Sequence, residues 1–173
     1  IRDAETASLA THAALTGHLV LSSLHTNDAA GALPRLINMG VEPFLITSSI
    51  NVIIAQRLVR KLCPKCVRPA RIPDPILKDI EQTLSRFNLP TPHQFLEGKG
   101  CEYCENGYSG RIGIFEVLTM TDTIENAVIA HKTSSEIKTE AIREGMVTMK
   151  QDGLMKALKG QTSVNEVLRV MTV

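Results

Sequence analysis

Residues 17–28, GHLVLSSLHTND, run from an apolar stretch straight into His25, Thr26, Asn27 and Asp28. The portion HLVLSSL reads as a short strand. It delivers polar side chains to its carboxyl end. In parallel α/β sheets, ligands bind outside the C-terminal ends of strands. The stretch is therefore expected to form one wall of a ligand site. A single histidine in such a place is more often a satisfied structural residue, so the case rests on what surrounds it.

Outward from this stretch, the first third of the chain reads as alternating helix and strand. Asp3 is placed to cap a helix over about residues 4–16, which Gly17 ends. Pro34 suits the first turn of a short helix ending before Gly40, and Pro43 starts another. The apolar residues after Pro43 (Phe44, Leu45, Ile46, Ile50, Val52, Ile53 and Ile54) go nearly all round a helix, which predicts burial. Helices alternating with strands imply a parallel α/β sheet.

Six of the eight prolines lie between Pro64 and Pro92 and divide the chain into three parts. Residues 1–62 form the α/β part, residues 63–113 a Pro- and Gly-punctuated part, and residues 114–173 a strand followed by helices. In the last part, Thr133 with Glu136, Thr148 with Gln151, and Ser163 with Glu166 have capping-box spacing. They predict three short helices, preceded by one over about residues 122–131. Gly145 and Gly160 fall where helix C-caps belong. By itself this part reads as a packing subdomain without chemistry.

All four cysteines fall in the middle part as two C-x2-C knuckles, Cys63/Cys66 and Cys101/Cys104, with 34 residues between them. Two such knuckles supply the four thiolates of a tetrahedral Zn²⁺ site. A closed thiolate shell leaves no position for water, so the metal is expected to be structural. Disulfides would need an oxidising compartment, and nothing in the sequence points to export. The long gap holds an insertion, PDPILKDIEQTLSRFNLP, that reads as one helix bounded by prolines. Beyond it, Gly107, Gly110 and Gly113 permit tight turns, and RIGIFEVL reads as a strand.

Composition excludes some classes. Hydrophobic residues make up 43% and charged residues 21%, ordinary values for a globular chain, and the net charge of +1 gives no global attraction to nucleic acid or membrane. The longest uncharged stretch, residues 43–56, is too short and too polar for a membrane helix, which needs roughly 20 apolar residues. No signal peptide opens the chain, and the start IRDAETA reads as cut from something longer.

Together, IRDAETA, TGHLVLSSLHTNDA, GVEPFLITSSINVIIAQRLVRKLCPKC, CEYCENGYSGRIGIFEVL and the tail EGMVTMKQDGLMKALKGQTSVNEVLRV resemble the type II secretion and type IV pilus assembly ATPases. The resemblance covers the whole chain. It implies the C-terminal portion of a RecA-type P-loop ATPase domain in the α/β class. An inserted tetracysteine zinc lobe and a C-terminal helical subdomain complete it. It further implies a cytoplasmic homo-hexamer, peripheral at the inner membrane, that uses ATP and Mg²⁺ and works with the platform proteins of a secretion or pilus machine.

In that family, TGHLVLSSLHTN corresponds to a histidine box. The resemblance implies that His25 reaches toward the γ-phosphate and that His18 fixes the segment's entry. It places Arg2 just after the Walker B segment and Arg57 near the nucleotide or the subunit interface. The Walker A pattern G-x-x-x-x-G-K-[ST] occurs nowhere in the 173 residues, and the Walker B glutamate would precede Ile1. The fragment alone is therefore expected to be inactive. The alternative is a zinc-stabilised protein- or nucleic-acid-binding module: six basic residues lie between Arg57 and Arg71, with no acidic residue between Glu42 and Asp74. Base-stacking aromatics, at 3% of the chain, are nearly absent, which disfavours nucleic acid.

Overall fold

The computed structural model describes residues 1–87 and 94–172. They form two units, one of Ile1–Ala55 with Glu116–Val147 and the other of Gln56–Phe115 with Thr148–Val173. Two long strands, β1 (Val52–Leu62) and β4 (Tyr108–Thr119), pair with each other and run through both units. Hydrogen bonds at the two ends of this ribbon, Met120 N–H to Asn51 O and Cys63 N–H to Gly107 O, make it antiparallel.

The first unit packs five helices: α1 (Ala4–Leu15), α2 (Ala32–Asn38), α3 (Pro43–Ser49), α5 (Asp122–Ile129) and α6 (Ser134–Arg143). Its core joins Ala7, Leu33, Ile46, Leu118, Ile124, Val128 and Ile137. As expected, Asp3 caps α1, its carboxyl accepting the Thr6 N–H at 2.8 Å. Thr133 and Glu136 form a complete capping box on α6.

The second unit holds α4 (Asp74–Leu84), α7 (Met149–Leu158), α8 (Val164–Met171) and a small antiparallel pair, β2 (Val67–Pro69) with β3 (Leu96–Gly98). Ile80, Leu84, Phe95, Leu154, Ala157, Val164 and Val167 fill its core. Truncating a fully buried member such as Leu154 to alanine costs ~2–5 kcal/mol. Thr148 and Gln151 complete the second capping box, on α7. Gly145 and Gly160 both have positive φ at the ends of their helices, as expected.

Four local expectations are corrected. The segment from His18 to Leu24 forms no strand, and among the described residues no strand pairs with it. A strand is defined by its partner, and composition cannot supply one. Leu19 and Leu21 remain 86% and 87% exposed. The helix from Pro43 stops at Ser49, because the β-branched run Val52, Ile53, Ile54 enters β1 instead. That run is not buried all round, since Val52 and Ile54 are exposed. No parallel sheet forms among the described residues; the strands make two two-stranded sheets. Finally, Ser163 caps α8, but Glu166 does not return the bond, because its carboxyl is taken by Arg60 and Arg169. The end of the expected proline-bounded helix, residues 88–93, lies outside the described residues.

Candidate metal centre and the His25 segment

The four cysteines converge. All four sulfurs lie within 4.8 Å of one another. Individual separations are 3.9 Å for Cys63–Cys101, 3.7 Å for Cys66–Cys104 and 3.5 Å for Cys101–Cys104. A tetrahedral Zn²⁺ with sulfur at about 2.3 Å requires sulfurs about 3.8 Å apart. The geometry fits that ion and is far too wide for a disulfide.

The two knuckles turn alike. Cys66 N–H bonds Cys63 O and Cys104 N–H bonds Cys101 O, each at 3.2 Å. Cys101 N–H also points at the Cys104 sulfur at 3.3 Å. The knuckles sit where chain segments are tied together: Cys63 N–H to Gly107 O at 2.9 Å, and Lys99 N–H to Cys66 O at 3.0 Å.

The thiols share their protons unequally. Burial raises the Cys104 thiol, but the Cys101 and Gly107 N–H groups and the neighbouring thiols bring it down to about 7. The Tyr103 N–H lowers Cys101, yet burial and the three other thiols push it up to about 12. Burial raises Cys66. Crowding of the four thiols raises some and lowers others, and a cation bound among them would stabilise all the thiolates together.

Around the lobe, the basic run is largely engaged. Arg60 pairs with Glu166 at 2.7 Å and lies over the Tyr108 ring, and Arg68 pairs with Glu97 at 2.8 Å. Lys65 sits 3.3 Å over the Tyr103 ring, joining the tips of the two knuckles. Arg57 donates to the Val170 carbonyl near the C-terminal end of α8, where a cation is favoured by the helix dipole. The run is not a bare phosphate-binding face.

In the first unit, Arg2, His18 and His25 are exposed. The Ile1 amino group donates to Ser23 O at 2.6 Å, which lays the start of the chain alongside the segment carrying His25. His18 follows α1 and its Nδ1 lies 3.1 Å from Thr16 Oγ1. Arg57 belongs to the second unit.

Downstream of His25 the chain makes a braced turn. Thr26 Oγ1 donates to Asp28 O at 3.0 Å, and the Asp28 carboxyl accepts the Gly31 N–H at 2.9 Å and the Lys138 ammonium at 2.8 Å. From β4, the buried Glu116 carboxyl accepts the Ala29 N–H at 2.7 Å. Glu116 and Lys138 were not among the site residues expected from the sequence. Glu116 left a signal: it shares the inward register of β4 with Ile114 and Leu118. A carboxyl group on a buried strand face calls for a partner.

Fold comparison sets the class. The X-ray structure of the Legionella pneumophila ATPase DotB matches with a TM-score of 0.61 at 22% identity, over 99% of this chain and 37% of that one. The chain thus has the fold of an ATPase of that kind, carrying a four-cysteine cluster.

The family follows from sequence. The profile described as Type II/IV secretion system protein matches residues 1–169, and the chain belongs to that family. The type IV pilus assembly ATPase PilB of Myxococcus xanthus is 47% identical over 97% of this chain and 30% of its own length. The type II secretion system protein E of Aeromonas hydrophila is 46% identical over 98% of this chain and 33% of its own. The chain spans about a third of these relatives.

Proposed function

We propose that these residues are the C-terminal part of a RecA-type ATPase domain that drives type II secretion or type IV pilus assembly. The carrying observation is the near-equal identity, 47% and 46%, to a pilus assembly ATPase and a type II secretion protein E over almost the whole chain. In this reading the working form is a homo-hexamer at the cytoplasmic side of the inner membrane, engaged with platform proteins of the machine. Residues 1–62 belong to the ATPase core, residues 63–113 form the zinc lobe, and residues 114–173 supply the returning strand and the helical subdomain.

Phosphoryl transfer is chiefly positioning plus electrostatic stabilisation of the γ-phosphate. The sequence holds no G-x-x-x-x-G-K-[ST], so these residues do not cradle the phosphates of ATP or bind its Mg²⁺ through a phosphate loop. Their contribution is a second wall. His25, exposed beside a braced turn, offers one ring N–H to the γ-phosphate, a bond made or lost as the phosphate leaves. Arg2 supplies positive charge from the neighbouring segment. His18 sets the entry of the His25 segment. Arg57 steadies the end of α8, and its permanent charge suits an adjoining subunit.

Cys63, Cys66, Cys101 and Cys104 hold Zn²⁺ in a closed shell. The ion supplies cross-linking, replacing a core that a small lobe lacks.

The test is phosphate release. The intact protein is expected to hydrolyse ATP while the 173-residue chain alone stays at background. Turnover by the 173-residue chain, or none by the intact protein, overturns the reading.

A further inference from the structure

We infer that Glu116 is a positioning residue for His25, holding the turn that follows it in the arrangement the phosphate needs. The inference rests on the proposed role of His25 and extends it to a residue that does not touch the nucleotide.

Glu116 is 1% exposed, on a strand face otherwise occupied by Ile114 and Leu118. Burying a carboxyl group among apolar side chains is costly, and a hydrophobic residue would pack there at lower cost. What the carboxyl provides is direction. Its Oε1 accepts the Ala29 N–H at 2.7 Å across 87 residues of sequence.

Ala29 lies in the turn between His25 and α2. That turn is internally tied by Thr26 to Asp28 and by Asp28 to Gly31. Two charged side chains from elsewhere in the unit hold it, Glu116 on β4 and Lys138 on α6. His25 itself is exposed and enters this turn directly, so the position of its ring follows the turn.

The adjacent residue extends the argument. The Phe115 N–H donates to the Asp152 carboxyl at 2.8 Å, and Asp152 also pairs with Lys156 at 2.6 Å. The boundary between the two units falls at the Phe115–Glu116 peptide bond.

The experiment measures steady-state ATP turnover and thermal stability in the intact ATPase, with His25→Ala as reference. Glu116→Ala is expected to lower kcat at least tenfold with KM for ATP within about twofold. Glu116→Gln keeps an acceptor oxygen for Ala29 and is expected to retain most of kcat. Glu116→Asp, one methylene shorter, withdraws the carboxyl with little change in volume and is expected to lower kcat even if the alanine variant does not fold. Full turnover by a folded Glu116→Ala or Glu116→Asp enzyme, beside a crippled His25→Ala, overturns this inference alone. So does a rise in KM equal to the loss of turnover. Full turnover by His25→Ala overturns the reading of His25 on which it rests.

Discussion

Gly98 and Gly107 face each other beside the cysteine cluster with no room for a side chain on either. A Cβ on Gly98 would lie 2.3 Å from the Gly107 carbonyl oxygen, and one on Gly107 would lie 2.6 Å from the Gly98 oxygen. The obstacle is backbone in both directions, so nothing can rotate away. Gly107 also has φ of +88°, and its carbonyl accepts the Cys63 N–H. The close approach lets the strand β3 and the second knuckle share one small lobe.

Gly98→Ala is therefore expected to destabilise the lobe by ~1–3 kcal/mol through forced backbone displacement. Gly107→Ala adds about 1 kcal/mol for its left-handed backbone. Zinc content and melting temperature check this. Full zinc occupancy and unchanged melting in both variants would contradict it.

The four-cysteine cluster gives a second prediction. One Zn²⁺ per chain is expected by elemental analysis. Serine at any of Cys63, Cys66, Cys101 or Cys104 should lower retention, because all four sulfurs belong to one cluster. In the intact ATPase, removal of zinc by a chelator should disturb coupling to partner proteins more than basal nucleotide binding. The opposite pattern would place the lobe within the nucleotide site.

Glu166 predicts a pH dependence. Burial pushes its carboxyl up, but the Arg169 and Arg60 guanidiniums and the Arg60 N–H more than reverse this, to about 2 against an ordinary 4.5. A depressed folded value stabilises the fold above the unfolded pKa. The contribution is complete above about pH 4.5 and is lost as pH falls toward about 2. It is worth on the order of 3 kcal/mol at neutral pH. Denaturation of Glu166→Gln across this range should show a flatter acid limb than wild type, and parallel limbs would contradict the assignment.

Much of the helical part was legible because its signals are local. Thr133 with Glu136 and Thr148 with Gln151 announce helix starts within four residues, and the structure forms both boxes. The two C-x2-C knuckles come together as their spacing predicts. What failed depended on distant partners. Val52 to Ile54 read as the end of a helix because nothing nearby shows that β4 will pair with them. The segment after Gly17 has strand composition without a strand beside it. Ser163 and Glu166 have capping-box spacing, but Arg60, more than a hundred residues away, takes the carboxylate. Glu116 was readable in part: its inward register on RIGIFEVL follows from alternation, although its partner Ala29 does not.

His131 offers a test of backbone strain. It is exposed and has φ of 52° just past α5, where glycine is favoured. His131→Gly is expected to raise stability by ~0.5–1 kcal/mol, net of glycine's greater freedom when unfolded. Gly145→Ala is the reverse case, with φ of +106° and nothing within 4 Å of an added Cβ, and should destabilise by a similar amount. Chemical denaturation of both variants measures the pair. A change of the same sign in both would contradict the strain argument.

The stretch ending in His25 is proposed to face the γ-phosphate of ATP. The most direct measurement compares nucleotide affinity and turnover of the intact ATPase with those of its His25→Ala variant. Nearly unchanged ATP affinity and a kcat lowered by at least tenfold are expected. Turnover equal to wild type would contradict it.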